Sequence, residues 1–113
     1  MTRRAIERLA DITDAIDRIR EYAGGLEAAS IESALVADAV AYNLLVIGEA
    51  VKGLDELIRD AEPSISWADI AGMRDLLAHE YFRVDAAIVE RTVRRDLSAL
   101  DDAVQRLRRT ASR

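Results

Sequence analysis

The chain has no cysteine, a single proline, a single histidine and few aromatic residues, which make up 4% of its 113 positions. Each scarcity removes a class of protein. Without cysteine there are no disulfides and no thiolate metal sites, and one histidine is a poor basis for a zinc site within one chain. No metal ion or cofactor is expected. Nowhere do about 18 apolar residues run without a polar or charged break, the length a membrane helix needs. The basic N-terminal stretch MTRRAIERL is not followed by the uninterrupted apolar segment of a secretory signal. The chain therefore reads as cytoplasmic and soluble, with no membrane contact. A formal charge of −5 argues against a protein that coats nucleic acid nonspecifically, because counterion release requires clustered Lys and Arg.

What is present is a half-hydrophobic chain whose apolar content is mainly Ala, Leu, Ile and Val. That mixture favours helices packed on helices. The length supports one continuous core and not a second independent fold, so residues 1–113 are expected to form a single helical domain. Charge is unevenly spread: residues 1–62 hold 7 basic and 13 acidic side chains, residues 63–113 hold 9 and 8. Late in the chain arginines cluster as Arg91, Arg94 and Arg95, then Arg106, Arg108 and Arg109. A solvated helix face accounts for them; a local strip facing RNA is the alternative.

Apolar spacing divides the chain into helices. Ile6, Leu9, Ile12, Ile16 and Ile19 recur at steps of three or four and predict one amphipathic helix, ended by the Ala-Gly-Gly at 23–25. A short helical piece around LEAAS is expected next. Ser30 or Ser33 then caps a longer helix carrying Leu35, Val36, Ala39, Val40, Leu44, Ile47, Val51, Leu54 and Ile58. Near AVAYNLLVIGEAV that helix is apolar around more than half its circumference, so it is expected to pack on two sides, one of them a second subunit in a two-fold dimer. Gly48 would permit close helix approach or is merely a tolerated small residue. Asn43 and Glu49 need partners if buried, expected at neighbouring helix ends. Pro63 breaks the chain, and Ser66 with Asp69 predicts a capping box opening a helix at Trp67, whose indole is expected to anchor the core or an interface. Asp85 is a good N-cap for a last helix bearing Ile88, Val89, Val93, Leu97, Leu100, Val104 and Leu107. The expectation is an all-α antiparallel bundle of four main helices.

The segment AGMRDLLAHEYF, residues 71–82, gathers Arg74, His79 and Tyr81. Arg74 and Tyr81 would lie on nearly one side of a continuous helix, whereas His79 would sit roughly 140° from Arg74. Either the helix ends near His79 or the site is completed across a dimer axis. A histidine titrates near neutral pH and an arginine offers a planar donor fork matched to phosphate oxygens. Together they suit metal-free RNA cleavage, in which the ribose 2′-hydroxyl attacks the adjacent phosphate. A capping or solvated histidine is the plain alternative.

The spacing Arg-x-x-x-x-His-x-Tyr within WADIAGMRDLLAHEYFRVD, preceded by LLVIGEAVK at 44–52, resembles the HepT family of HEPN-domain proteins, over about residues 4–107. The resemblance implies a homodimeric HEPN-like bundle and the toxin half of a type VII HEPN/MNT toxin–antitoxin pair. It implies a metal-independent endoribonuclease acting on RNA at the dimer interface, with Arg74 polarising phosphate and His79 as general acid or base. It implies neutralisation by a partner MNT-type nucleotidyltransferase that transfers AMP from ATP onto Tyr81. Asp75 stands where the family often has Asn; it could orient Arg74 or His79, and its charge could weaken RNA binding. A noncatalytic nucleotide-binding or scaffold subunit beside a nucleotidyltransferase is the alternative function.

Overall fold

The computed structural model describes residues 1–22, 34–80 and 86–111. Among these the architecture is all-α: α1 (Arg3–Tyr22), α2 (Ala34–Lys52), the short α3 (Glu56–Asp60), α4 (Trp67–His79) and α5 (Ala86–Ala111). The expected bundle of four main helices is present, with α3 as a fifth, one-turn element. No helix among the described residues is long and apolar enough to cross a membrane. The expected LEAAS helix, the caps at Ser30, Ser33 and Asp85, and Tyr81 lie outside the described residues.

α1 begins where the Thr2 hydroxyl accepts a hydrogen bond from the Ala5 amide at 3.1 Å. It buries Ala5, Leu9, Ile12, Ala15, Ile16 and Ile19. Ile6, expected in this stripe, is 44% exposed. At 100° per residue it falls about 110° from the centre of the buried arc, whereas Ala5 falls within it. α5 runs antiparallel to α1 and buries Val89, Val93, Leu97, Leu100, Ala103, Val104 and Leu107. Two polar contacts fix that direction. Arg20 Nη1 meets Asp101 Oδ2 at 2.6 Å, and the Gln105 side-chain amide donates to the Thr13 hydroxyl at 3.2 Å, so ascending α1 pairs with descending α5.

α2 is the central helix, packed against α1, α4 and α5. Val40, Ala41, Asn43, Leu44, Ile47, Gly48, Ala50 and Val51 are buried around a wide arc. Asn43 satisfies its amide inside its own helix, donating to the Ala39 carbonyl at 2.9 Å rather than to a neighbouring helix end. The continuous helix expected through Ile58 is broken. The Gly53 and Leu54 amides close tight turns onto Ala50 and Val51, and Asp55 then caps α3, its carboxylate accepting from the Ile58 amide at 3.0 Å. Leu54 and Ile58 nevertheless remain buried. Their burial preserves the apolar rhythm across the break.

α4 opens at Ser66, but not through the expected capping box. The Ser66 side chain makes no cap bond; its φ of −80° and ψ of 68° depart from the extended conformation that aims an N-cap hydroxyl at the helix. Its carbonyl instead accepts from the Asp69 and Ile70 amides, both at 3.1 Å. Trp67 is buried as expected of a core anchor, and its indole N–H donates to the carbonyls of Arg59 and Glu62, each at 3.0 Å. This shared donor ties the start of α4 to the end of α3. Arg106 of α5 adds a second tie to the same turn, at 2.6 Å from Glu62.

Candidate active site

The site is set by how closely α2 and α4 approach. Gly48 is buried where they meet, and a Cβ built on it would overlap the Cβ of Arg74 and lie 3.1 Å from the Ile70 carbonyl oxygen and 3.2 Å from the Arg74 Cα. Any side chain here would push the helices apart. Of the two roles open to Gly48, close approach is the one it fills.

That approach places Glu49 and Lys52, on the last turns of α2, beside Arg74 and Asp75 of α4. Arg74 Nε donates to Glu49 Oε2 at 2.7 Å and Nη1 donates to Asp75 Oδ1 at 3.1 Å. Lys52 Nζ donates to the same Asp75 oxygen at 3.1 Å. The result is a chain of four charges, two of each sign, running Lys52, Asp75, Arg74, Glu49. Arg74 is the least exposed of them, at 26% of its side chain. The Glu49 carboxylate, and after it Asp75, hold the guanidinium pKa above its ordinary value. Lys52, and after it Arg74, hold the Asp75 carboxyl below the usual carboxylate range. Asp75 thus stands as a carboxylate bonded to both Lys52 and Arg74.

A guanidinium has five N–H donors. Two are taken by Glu49 and Asp75. Among the described residues nothing takes the other donors, which can address a planar oxyanion such as a phosphate.

His79 is the last helical residue of α4 and is exposed. Glu80 follows as the C-cap, its amide donating to the Leu76 carbonyl at 2.8 Å. The helix thus ends at His79, but that end does not bring the imidazole to Arg74. Within one chain Arg74 faces α2 while His79 stands at the helix end about 140° further round. Asp75 is brought to Arg74 and Lys52. Glu49 and Lys52 were not singled out in the sequence as site residues. Their signal was present in LLVIGEAVK: an acid and a base three apart, immediately after the glycine of a helix contact.

Among the described residues, no group of three or more His, Cys, Asp or Glu side chains is placed to hold a metal ion. Residues 12–107 match the family described as Ribonuclease HepT-like. The chain belongs to this family. The matched span includes α2, α4 and the whole Arg74-to-Tyr81 motif, so the two blocks around Gly48 and Arg74 pointed to the correct family. The chain is 34% identical to a provisionally named ribonuclease HepT of Thermococcus cleftensis, over 96% of this chain and 100% of that protein. It is 34% identical to a provisionally named RNase of Methanocaldococcus jannaschii, over 88% of this chain and 83% of the relative. A provisionally named RNase of Caldanaerobacter subterraneus is 40% identical over 65 residues, 58% of each chain. No solved structure matches significantly.

Proposed function

We propose that this HepT-like chain is the toxin of a type VII toxin–antitoxin pair, a homodimeric endoribonuclease that cleaves RNA without a metal ion. Arg74 binds the scissile phosphate and His79 moves the proton. The observation that carries this reading is the arrangement of α4: an oriented guanidinium whose outer donors no described residue takes, and an exposed imidazole ending the same helix. In the reaction His79 takes the proton of the ribose 2′-hydroxyl as the O2′–P bond forms. Arg74 meets the charge that develops on the phosphoryl oxygens. The P–O5′ bond breaks, the departing oxygen takes up a proton, and a 2′,3′-cyclic phosphate remains. DNA, lacking the hydroxyl, is refused.

A second copy of the chain completes the site. Leu35 and Tyr42 of α2 are 78% and 60% exposed, and at seven-residue spacing they share one side of the helix with Glu49. A partner covering this stripe reaches the Arg74 cluster, bringing its own His79 toward it. The partner nucleotidyltransferase silences the enzyme by moving AMP from ATP onto Tyr81. The added phosphate would compete for Arg74 and the added bulk would fill the cleft.

The deciding experiment is cleavage of a defined structured RNA by purified, unmodified protein in EDTA, with His79→Ala beside it. Cyclic phosphate ends that disappear in the variant support the proposal. An intact RNA, with folded protein of unmodified mass, favours the noncatalytic nucleotide-binding subunit, for which Asp75 beside Arg74 is the motivating feature. For the silencing step, co-expression with the nucleotidyltransferase should add AMP-sized mass increments that Tyr81→Phe abolishes. An unchanged wild-type mass in the presence of active transferase and ATP would refute that step.

A further inference from the structure

Arg74 and Asp75 sit in the family motif, but among the described residues the shorter of Arg74's two hydrogen bonds is to another helix. Glu49 Oε2 accepts from Nε at 2.7 Å, closer than the 3.1 Å between Nη1 and the adjacent Asp75. Glu49 is 54% exposed, so burial does not force this pairing. An exposed carboxylate beside a phosphate-binding arginine would ordinarily compete with the substrate, since both are anions seeking the same donors. Here the geometry separates the two demands. Glu49 engages Nε, at the root of the guanidinium. Asp75 engages one N–H of Nη1, and its Oδ1 is shared with Lys52, which draws part of that carboxylate's charge away from the arginine. Among the described residues, nothing takes the Nη2 donors or the second Nη1 donor. A planar group held at its root and at one side has a fixed plane and a fixed direction. The free edge is the one a phosphate needs.

The origin of this hold is also structural. Gly48 brings the backbones of α2 and α4 into contact, so Glu49, the next residue, reaches the guanidinium root with its own helix fixed in the core by Ile47, Ala50 and Val51. An arginine tethered only by its helical neighbour would keep most of its rotamer freedom, and part of the substrate's binding energy would go to ordering it.

We infer that Glu49 is a positioning residue of the ribonuclease site, acting through its hydrogen bond to Arg74 Nε to present the distal guanidinium edge to the scissile phosphate. This rests on the ribonuclease reading above. The test compares wild type, His79→Ala, Glu49→Ala and Glu49→Gln on one structured RNA in EDTA, with kcat and KM measured separately and folding checked by helical circular dichroism. Glutamine keeps an oxygen that can accept from Nε but removes the charge. Glu49→Ala should lower kcat roughly 10- to 100-fold, the scale of a misplaced catalytic group, with a smaller change in KM. Glu49→Gln should recover most of the lost kcat.

The outcomes are separable. Wild type with no His79-dependent cleavage sinks the ribonuclease reading itself. With wild type active, a folded Glu49→Ala protein as fast as wild type or faster overturns the positioning role and makes Glu49 a competitor of phosphate. Glu49→Gln no better than Glu49→Ala, both folded, overturns it too, because the hydrogen bond would then not be what matters.

Discussion

Replacing Gly48 by alanine sets two effects of opposite sign against each other. In the middle of an exposed helix, Gly→Ala gains about 1 kcal/mol of helix propensity. At Gly48 the new methyl would overlap the Arg74 Cβ and press on the Ile70 carbonyl at 3.1 Å and the Arg74 Cα at 3.2 Å. These are backbone and Cβ atoms, which cannot swing aside as a side-chain tip can. Relief requires α4 to move, and overpacking of this kind costs roughly 1–3 kcal/mol. Backbone and Cβ atoms that cannot yield put the clash toward the upper end of that range, leaving a net loss of up to about 2 kcal/mol and a Tm lower by up to roughly 10 °C for a chain of this size. Gly72 supplies the control. It lies within α4, and a Cβ added there meets nothing within 4 Å. Gly72→Ala should therefore raise Tm, by the propensity term alone, about 0.5–1 kcal/mol. Thermal and urea unfolding of both variants reads the difference directly. A Gly48→Ala protein as stable as Gly72→Ala would refute the close packing of α2 on α4, and with it the basis for placing Glu49 beside Arg74.

Trp67→Phe keeps most of the apolar volume but removes the donor shared by the Arg59 and Glu62 carbonyls, and should cost about 1–2 kcal/mol in urea unfolding. An unchanged unfolding midpoint would mean that the indole N–H does not hold α3 to α4. The Asp75 carboxyl is depressed by Lys52 and Arg74, so its favourable pairing is present above the ordinary carboxylate range and is lost as pH falls through the lowered value. An NMR titration of the Asp75 side-chain carbon should show that low midpoint, and Lys52→Met should move it upward; a midpoint indifferent to Lys52 would remove Lys52 from the cluster.

The stripes of α1 and α5 were legible because each helix buries one face and the apolar residues mark it directly. Leu9, Ile12, Ile16 and Ile19, like Val93, Leu97, Leu100 and Val104, are both periodic and buried. The interruption between α2 and α3 was not legible, because Leu54 and Ile58 stay in the core on both sides of it and keep the three-four step unbroken. Its local signs were Gly53 and the capping Asp55, weaker than the rhythm they interrupt. Ser66 failed as a capping box for a similar reason: residue type permits the motif, but backbone angles decide it. In the site, Arg74 and His79 stood out by residue type and spacing on one helix, and Asp75 through the family resemblance; the structure bonds Asp75 to Arg74 and leaves His79 apart at the helix end. The bonds from Glu49 and Lys52 cross between helices, and no periodicity within either helix encodes them. Only the glycine beside them hinted that two backbones meet there.

Trp67 gives the molecule an optical property as well as a structural one. It is the sole tryptophan of the chain, buried at the junction where α3 ends and where the helix bearing Arg74 and His79 begins. Intrinsic indole emission therefore comes from one place, the seat of α4. Release of that seat would bring water to the ring and shift its emission to the red before the distant contacts of α1 with α5 need change. Fluorescence thus follows the anchoring of the site-bearing helix, while circular dichroism follows all the helices together, and any gap between the two curves measures how independently that helix can come loose.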